Sequence, residues 1–340
     1  MAKKNIDWEN IGFAYMDTGS FVKAEFKNGQ WQDIEICTDP NISIHIAATC
    51  LHYGQSCFEG LKAFTQKNGN VAIFRPDENA KRLIISANRL LMEPPSEELF
   101  LKAVNTSIKN NLDYVPPYGT GASLYVRPLL IGSSPHVGLH TSEEYIFYVL
   151  TMPVGPYYKN GFFPVDAYIQ NDYDRAAPLG VGYIKAAGNY AAGMKPDMEG
   201  KKKGYPICLY LDSVSHSYID EFGTSNFFAI TGDNKFVTPK SKSVLGSITN
   251  KSLQVLAQDF GLTVEKRQIH VSEIEKFVEV GACGTAAVIT PIYSITYGDK
   301  KYTFGEKSES GNILTKLYNN LQDIQYGEIE DRHGWMFSVY

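Results

Sequence analysis

The sequence predicts an α+β (mixed α/β) chain of two domains: a smaller one over residues 1–152 and a larger one over residues 164–340 that mixes strands with helices. Three observations carry this. Two Asn-Gly pairs, Asn28-Gly29 and Asn68-Gly69, each sit between β-type runs and are followed by helical patterns. A stretch from Pro153 to Gly161 holds two prolines and two glycines, which break regular structure and mark an interdomain loop over 153–163. At 340 residues and 44% hydrophobic composition, the chain is long for a single core.

In chain order, residues 21–26 and 31–36 flank the first Asn-Gly pair, and residues 61–65 and 71–74 flank the second. Both residue types tolerate positive φ, so each pair predicts a hairpin. A helix follows, with Asp77 as its cap and Leu83, Ile84, Ala87, Leu90 and Leu91 as its apolar face. Pro94-Pro95 ends it, and a second helix spans about 96–112. Residues 121–131 and 145–152 read as strands. In the second domain, residues 206–211, 227–231 and 235–238 read as strands, the last two joined at Gly232-Asp233-Asn234. Leu253, Leu256 and Ala257 mark a helix that stops at Gly261. Ser272 and Glu275 form a capping box for a short helix ending before Gly281. Gly281 to Ala287 reads as a glycine turn ahead of a strand over 288–297. Gly298-Asp299 turns that strand into another over 301–304, and a last helix carries Ile313, Leu314, Leu317, Leu321 and Ile324 to Gly327.

Composition excludes several classes. With 32 basic and 37 acidic residues, net charge -5, there is no basic footprint for nucleic acid. No apolar run approaches the roughly 20 residues that span a bilayer, and the N-terminus has no apolar signal core. Five cysteines, without a CxxC pair, predict reduced thiols and a cytoplasmic setting. Seven scattered histidines show no HExxH or similar spacing, so no metal is expected.

Candidate chemistry centres on Lys185, the single charge between Leu179 and Met194, set among Gly180, Gly182, Ala186, Ala187 and Gly188. Small neighbours admit close approach, and a desolvated amine shifts toward the nucleophilic range that a Schiff-base lysine needs. Taken alone, it reads equally as a surface lysine between loops. Glu221, ahead of Gly223, Thr224 and Asn226, reads as a turn acid or as a carboxylate facing a cationic ring. Gly246-Ser-Ile-Thr249 precedes a helix and reads as a simple cap or as an anion site at the helix's positive end. Arg75 closes a strand directly before Pro76. Gly281 to Ala287 is a small-residue segment whose amides suit an anion.

In this order, and with Tyr53-Gly54, Phe58-Glu59-Gly60-Leu61-Lys62 and Tyr125-Val126-Arg127-Pro128, these segments resemble the branched-chain amino acid aminotransferases. Those are pyridoxal-phosphate (PLP) enzymes of fold type IV, in the class IV aminotransferases, and the resemblance runs from about residue 12 to 335. It implies a two-domain fold-type-IV chain with PLP at the domain junction, working as a homodimer. It implies Lys185 as the catalytic, cofactor-bearing lysine and Glu221 at the pyridine nitrogen. It places Arg75, Ile248, Thr249 and Thr285 on the phosphate, and Tyr190 on the ring hydroxyl. On the substrate side it implies Tyr53, Phe58 and Tyr125 around an aliphatic side chain, Arg127 on the distal carboxylate of glutamate, and Ala286 and Ala287 on the α-carboxylate. The activity implied is amino transfer between L-leucine, L-isoleucine or L-valine and 2-oxoglutarate. Another fold-type-IV enzyme, such as a D-amino acid aminotransferase or an aminodeoxychorismate lyase, is the alternative, ahead of a non-catalytic PLP-binding protein.

Overall fold

The computed structural model describes residues 6–8, 10–155, 161–306 and 311–339. Two compact units divide the chain. One comprises Met1–Lys159, Lys185–Gly188 and Asp323–Tyr340; the other comprises Asn160–Ile184 and Asn189–Gln322. Residues 156–160 of the expected interdomain loop lie outside the described residues.

In the first stretch the elements are β1 (Phe21–Lys27), β2 (Gln30–Trp31), β3 (Glu35–Cys37), α1 (Thr49–Tyr53), β4 (Ser56–Phe58), β5 (Leu61–Thr65), β6 (Val71–Phe74), α2 (Pro76–Arg89), α3 (Glu97–Asn110), β7 (Ser123–Gly132) and β8 (Tyr145–Val154). There follow β9 (Val165–Gln170), α4 (Ala187–Lys202), β10 (Ile207–Leu211), β11 (Ile219–Phe222), β12 (Asn226–Thr231), β13 (Lys235–Pro239), α5 (Ile248–Asp259), β14 (Thr263–Arg267), β15 (Phe277–Gly284), β16 (Val288–Tyr297), β17 (Lys300–Thr303), α6 (Asn312–Tyr326) and β18 (Met336–Ser338).

The first unit is built on one sheet in the order β18-β6-β5-β7-β8-β1-β2, with β4 paired to β7 and β3 to β1. Helices α2 and α3 supply Leu83, Ala87, Phe100, Ala103, Val104 and Ile108 to a core shared with Leu61, Ala63, Leu124, Val126, Leu130, Phe147 and Val149 of the strands. Side chains alternate along a strand, so that set occupies one face. Lys62, Tyr125, Arg127 and Leu129 occupy the other. Phe58 joins them, because β4 pairs it with Leu129.

The second unit orders its strands β11-β10-β9-β16-β15-β12-β13-β14, and β11 also pairs with β12. That extra pairing closes β11, β10, β9, β16, β15 and β12 into a ring around Phe222, Phe227, Ala229, Leu209, Ile169 and Ile292. The closing rung is Glu221 opposite Asn226.

Several local expectations need correction. Asp77 does not cap α2: the cap is Arg75, at φ 47°, and Pro76 opens the helix with its fixed φ. The capping box sits two residues earlier than expected, with His270 and Glu273 opening a 3₁₀ turn over Val271–Lys276. Residues 281–284 are not a turn but the end of β15, and the turn proper is 285–287. β8 runs through Pro153 to Val154. Its partner β1 pairs only residues 145–149 on that side, so the missing proline N–H breaks no rung. The strand after Asn28-Gly29 is split, with β2 and β3 both pairing to β1.

Candidate active site

In the first unit, the chain at Lys185 is clasped through its backbone. The Lys185 amide donates to Ser86 Oγ at 3.1 Å, and its carbonyl accepts from the Phe58 amide at 3.2 Å. The side chain is half-buried, with Nζ 4.9 Å from the centre of the Phe58 ring. The same ring lies 4.6 Å from the Arg127 guanidinium carbon. Arg127 Nη2 donates to Tyr125 Oη at 2.9 Å, and Phe13 meets the Tyr125 ring edge-on at 5.3 Å. Arg127 has no acidic partner among the described residues, and its Nε is buried without a hydrogen bond. A half-buried cation with an unmet donor is a receptor for an anion.

Behind this wall, Glu59 is fully buried. Arg82 grips its two oxygens at 2.7 Å each, and Asn79 Nδ2 donates to Oε2 at 2.7 Å. This ties the Phe58 segment to α2. Gly60 then passes so close to Tyr125 that a Cβ there would stand 2.2 Å from its hydroxyl. Gly60→Ala therefore forces the buried Tyr125 ring aside and breaks its bond to Arg127. The expected result is a loss of about 1–3 kcal/mol in stability, read by denaturant unfolding, with impaired turnover of glutamate. An unchanged unfolding midpoint would show that the wall is slack.

The remaining first-unit candidates are more open. Arg75 is half-buried at the start of α2; its amide donates to the Trp335 carbonyl at 2.8 Å and its guanidinium lies 5.3 Å from the Trp335 ring. Its left-handed φ aims the junction between β6 and α2, and strain of this kind in a non-glycine residue often marks a ligand site. Tyr53 is 39% exposed, and its hydroxyl donates to the Val137 carbonyl.

In the second unit, Glu221 is buried at the closing rung. Its Oε1 accepts from the Leu245 amide at 2.9 Å and pairs with Arg175 Nη1 at 2.9 Å; its Oε2 accepts from Asn226 Nδ2 at 2.7 Å. Burial pushes its carboxyl up to about 7 despite Arg175 and both hydrogen bonds. Arg175 also donates to the carbonyls of Gly182 at 3.3 Å and Ser243 at 3.0 Å. The sequence does not point to Arg175. It lies 46 positions from Glu221, and a lone arginine in a loop announces nothing until the fold pairs it.

Ser247 caps α5 by accepting from the Asn250 amide at 3.2 Å. The amides of Ile248 and Thr249, at the first two helical positions, have no carbonyl within the helix to bond and face the positive end of its dipole. Thr285, Ala286 and Ala287 form the tight turn between β15 and β16, where Gly284 pairs with Val288. Val288 is buried with φ 62°, a rare conformation for a β-branched residue, so this turn is held under strain. Tyr190 sits half-buried in the first turns of α4.

The residues fit PLP in kind. A buried carboxyl still raised to about 7 beside Arg175 has room for a second positive charge, which a protonated ring nitrogen supplies. Helix-start amides, Arg75 and a small-residue turn suit a phosphate and a carboxylate. A second residue that the sequence does not single out, Lys62, is the cross-strand neighbour of Tyr125, and burial pushes its ammonium down to about 8.

Residues 56–295 match the family of class IV amino-transferases. The chain is 44% identical to a branched-chain-amino-acid aminotransferase of Haemophilus influenzae over 99% of each sequence. It is 46% identical to another from Helicobacter pylori, over 99% of this chain and 98% of that one. Among solved structures, the branched-chain amino acid aminotransferase of Escherichia coli has the same fold with a TM-score of 0.78 at 27% identity, covering 94% of this chain and 99% of that one.

Proposed function

The chain belongs to the class IV aminotransferase family, and from that premise we propose that it is a branched-chain amino acid aminotransferase. It exchanges amino groups between L-leucine, L-isoleucine or L-valine and 2-oxoglutarate, with PLP as cofactor, and works as a cytoplasmic homodimer. The observation that carries the dual substrate range is Arg127: a cation with a buried, unmet Nε, set against the same Phe58 ring as the Lys185 amine. No helix among the described residues is long and apolar enough to cross a membrane.

PLP, when bound, supplies an electron sink for negative charge at the substrate α-carbon. Lys185 holds its reactive carbon and, once displaced by the amino acid, takes the proton from Cα at Nζ. Glu221, fixed by Arg175, Asn226 and the Leu245 amide, keeps the ring nitrogen protonated. Arg75, the Ile248 and Thr249 amides and Thr285 hold the phosphate, and Tyr190 donates to the ring hydroxyl. The amides of Ala286 and Ala287 hold the α-carboxylate. Tyr53, Phe58 and Tyr125 surround an aliphatic side chain, while Arg127 at their edge accepts the distal carboxylate of glutamate.

Arg127→Leu tests this reading through its asymmetry. Single-turnover rates with L-glutamate are expected to fall roughly 10–100-fold, the worth of a charge-assisted contact. Rates with L-leucine change only a few-fold, since its side chain offers that guanidinium no acceptor. Equal losses for both substrates would make Arg127 a scaffold residue. A parent enzyme that converts D-amino acids in preference to L-leucine would move the chain to the alternative fold-type-IV activity.

A further inference from the structure

The loop between β7 and β8 gathers three residues that the transamination site does not use: His136, His140 and Glu143. One ligand atom of each lies within 4.8 Å of the other two. We propose that these residues bind one borderline divalent cation, zinc foremost, which fastens the tip of this loop.

The backbone is set before any ion arrives. Ser134 Oγ accepts from the amides of Glu143 at 2.8 Å and Glu144 at 2.7 Å. Ser142 Oγ accepts from the Ser134 amide at 3.0 Å, and the Ser142 amide donates to Gln55 Oε1 at 3.0 Å. The His136 amide donates to the Ala47 carbonyl at 2.9 Å. These bonds bring positions 136, 140 and 143 together at the base of the tip.

The side chains are in the right state for a metal. His136 Nε2 is buried and has no hydrogen-bond partner among the described residues. An imidazole nitrogen left so is satisfied by a cation on its lone pair. His140 Nδ1 lies 2.7 Å from the Thr141 carbonyl, which only accepts, so Nδ1 carries the proton and Nε2 keeps its lone pair. A carbonyl fixing the tautomer in this way is the usual support of a metal-binding histidine. Glu143 is exposed, forms no ion pair among the described residues and brings the negative charge. The two rings stand 4.9 Å apart, tilted by 35°.

Two imidazoles and one carboxylate form a zinc donor set with a fourth position open to water, whereas calcium and magnesium prefer oxygen ligands alone. Bonds of about 2.0–2.2 Å require ligand atoms near 3.3 Å apart, so the exposed His140 and Glu143 have to close by about 1.5 Å through side-chain rotation. Between the histidines the tip presents Val137 and Leu139, 77% and 86% exposed. A cation bridging 136 to 140 narrows the range of positions that tip can take.

The test uses the full-length, PLP-loaded protein, stripped with EDTA and titrated with Zn²⁺ alone by calorimetry at about pH 7.5. One equivalent per chain is expected, with affinity falling below about pH 6 as the imidazoles protonate. Co²⁺ in its place gives the visible absorption of a four- or five-coordinate site. His140→Ala and Glu143→Gln alter exposed side chains and leave the fold intact; each is expected to weaken binding at least about tenfold. His216→Ala, elsewhere on the surface, leaves it unchanged. Absence of saturable binding overturns the site, as does binding that survives His140→Ala, which would point to the thiols of Cys37 or Cys50 instead.

Discussion

Replacing Lys185 by alanine slows the half-reaction with either L-leucine or L-glutamate by about 10²–10⁴-fold or more, the range a positioned acid–base group supplies. The fold survives this change. Both hydrogen bonds that hold position 185 come from the backbone, to Ser86 Oγ and from the Phe58 amide, and alanine keeps them. What is lost from the structure is the ammonium's contact with the Phe58 ring, about 0.5–1 kcal/mol. Cofactor still binds through the other groups, so the defect appears in single-turnover rates rather than in occupancy. An added primary amine restores part of the rate by replacing the missing base. Borohydride fixes the cofactor of the parent enzyme on the peptide that contains Lys185. A Lys185→Ala variant that reacts at the parental rate, or a label on another lysine, removes Lys185 from the chemistry.

The contrast between what the sequence shows and what it hides has physical causes. The Asn28-Gly29 hairpin is legible because its chemistry is local: both residues take positive φ, 54° and 76°, and their neighbours pair directly. The face that carries Phe58, Tyr125 and Arg127 follows from a period of two, once β5, β7 and β4 are in register. Helix α4 is not legible. It holds Gly188, Gly193 and Pro196, residues of poor helix propensity, and Pro196 and Gly200 are buried, so tertiary packing rather than local preference keeps it helical. β9 escapes because Val165–Gln170 is a short run between a loop and a polar stretch. The true cap of α2 is hidden because nothing in the letters signals that Arg75 adopts a left-handed backbone; Asp77 is the better capping residue by type but sits inside the first turn. Arg175 is invisible for a different reason. Its meaning is a partner 46 residues away, and only the closing of β11 against β12 buries Glu221 where that partner matters. The same holds for His136, His140 and Glu143, whose spacing suggests no helix and whose convergence depends on Ser134 and Ser142 closing the loop.

Glu221→Gln slows the half-reaction by about 10²–10³-fold while PLP affinity changes far less, because the charge that stabilises the ring's electron sink is lost and the phosphate contacts are not. The structural cost is bounded. Glutamine keeps an oxygen for Arg175 and the Leu245 amide, but its amide nitrogen replaces Oε2 and meets Asn226 Nδ2, donor against donor, where the carboxylate accepted at 2.7 Å. One misaligned buried hydrogen bond costs about 1–3 kcal/mol, well short of unfolding a domain with a closed strand ring. The pH dependence separates this electrostatic role from a purely structural one. In the cofactor-free protein the Glu221 carboxyl is raised by burial from 4.5 to about 7. Its folded value lies above its unfolded value, so the folded chain holds a proton that the unfolded chain has released. The contribution to stability is therefore fully present below about pH 4.5 and is lost as pH rises toward 7. Thermal unfolding of cofactor-free parent between about pH 5 and 7.5 should show that decline, and Glu221→Gln, which cannot titrate, should not. Bound PLP places a cation beside the carboxylate and flattens the parent's profile as well. A parent and a variant with identical profiles, or a variant that transaminates at the parental rate, would mean that Glu221 braces Arg175 and the β11–β12 seam without governing the cofactor's charge.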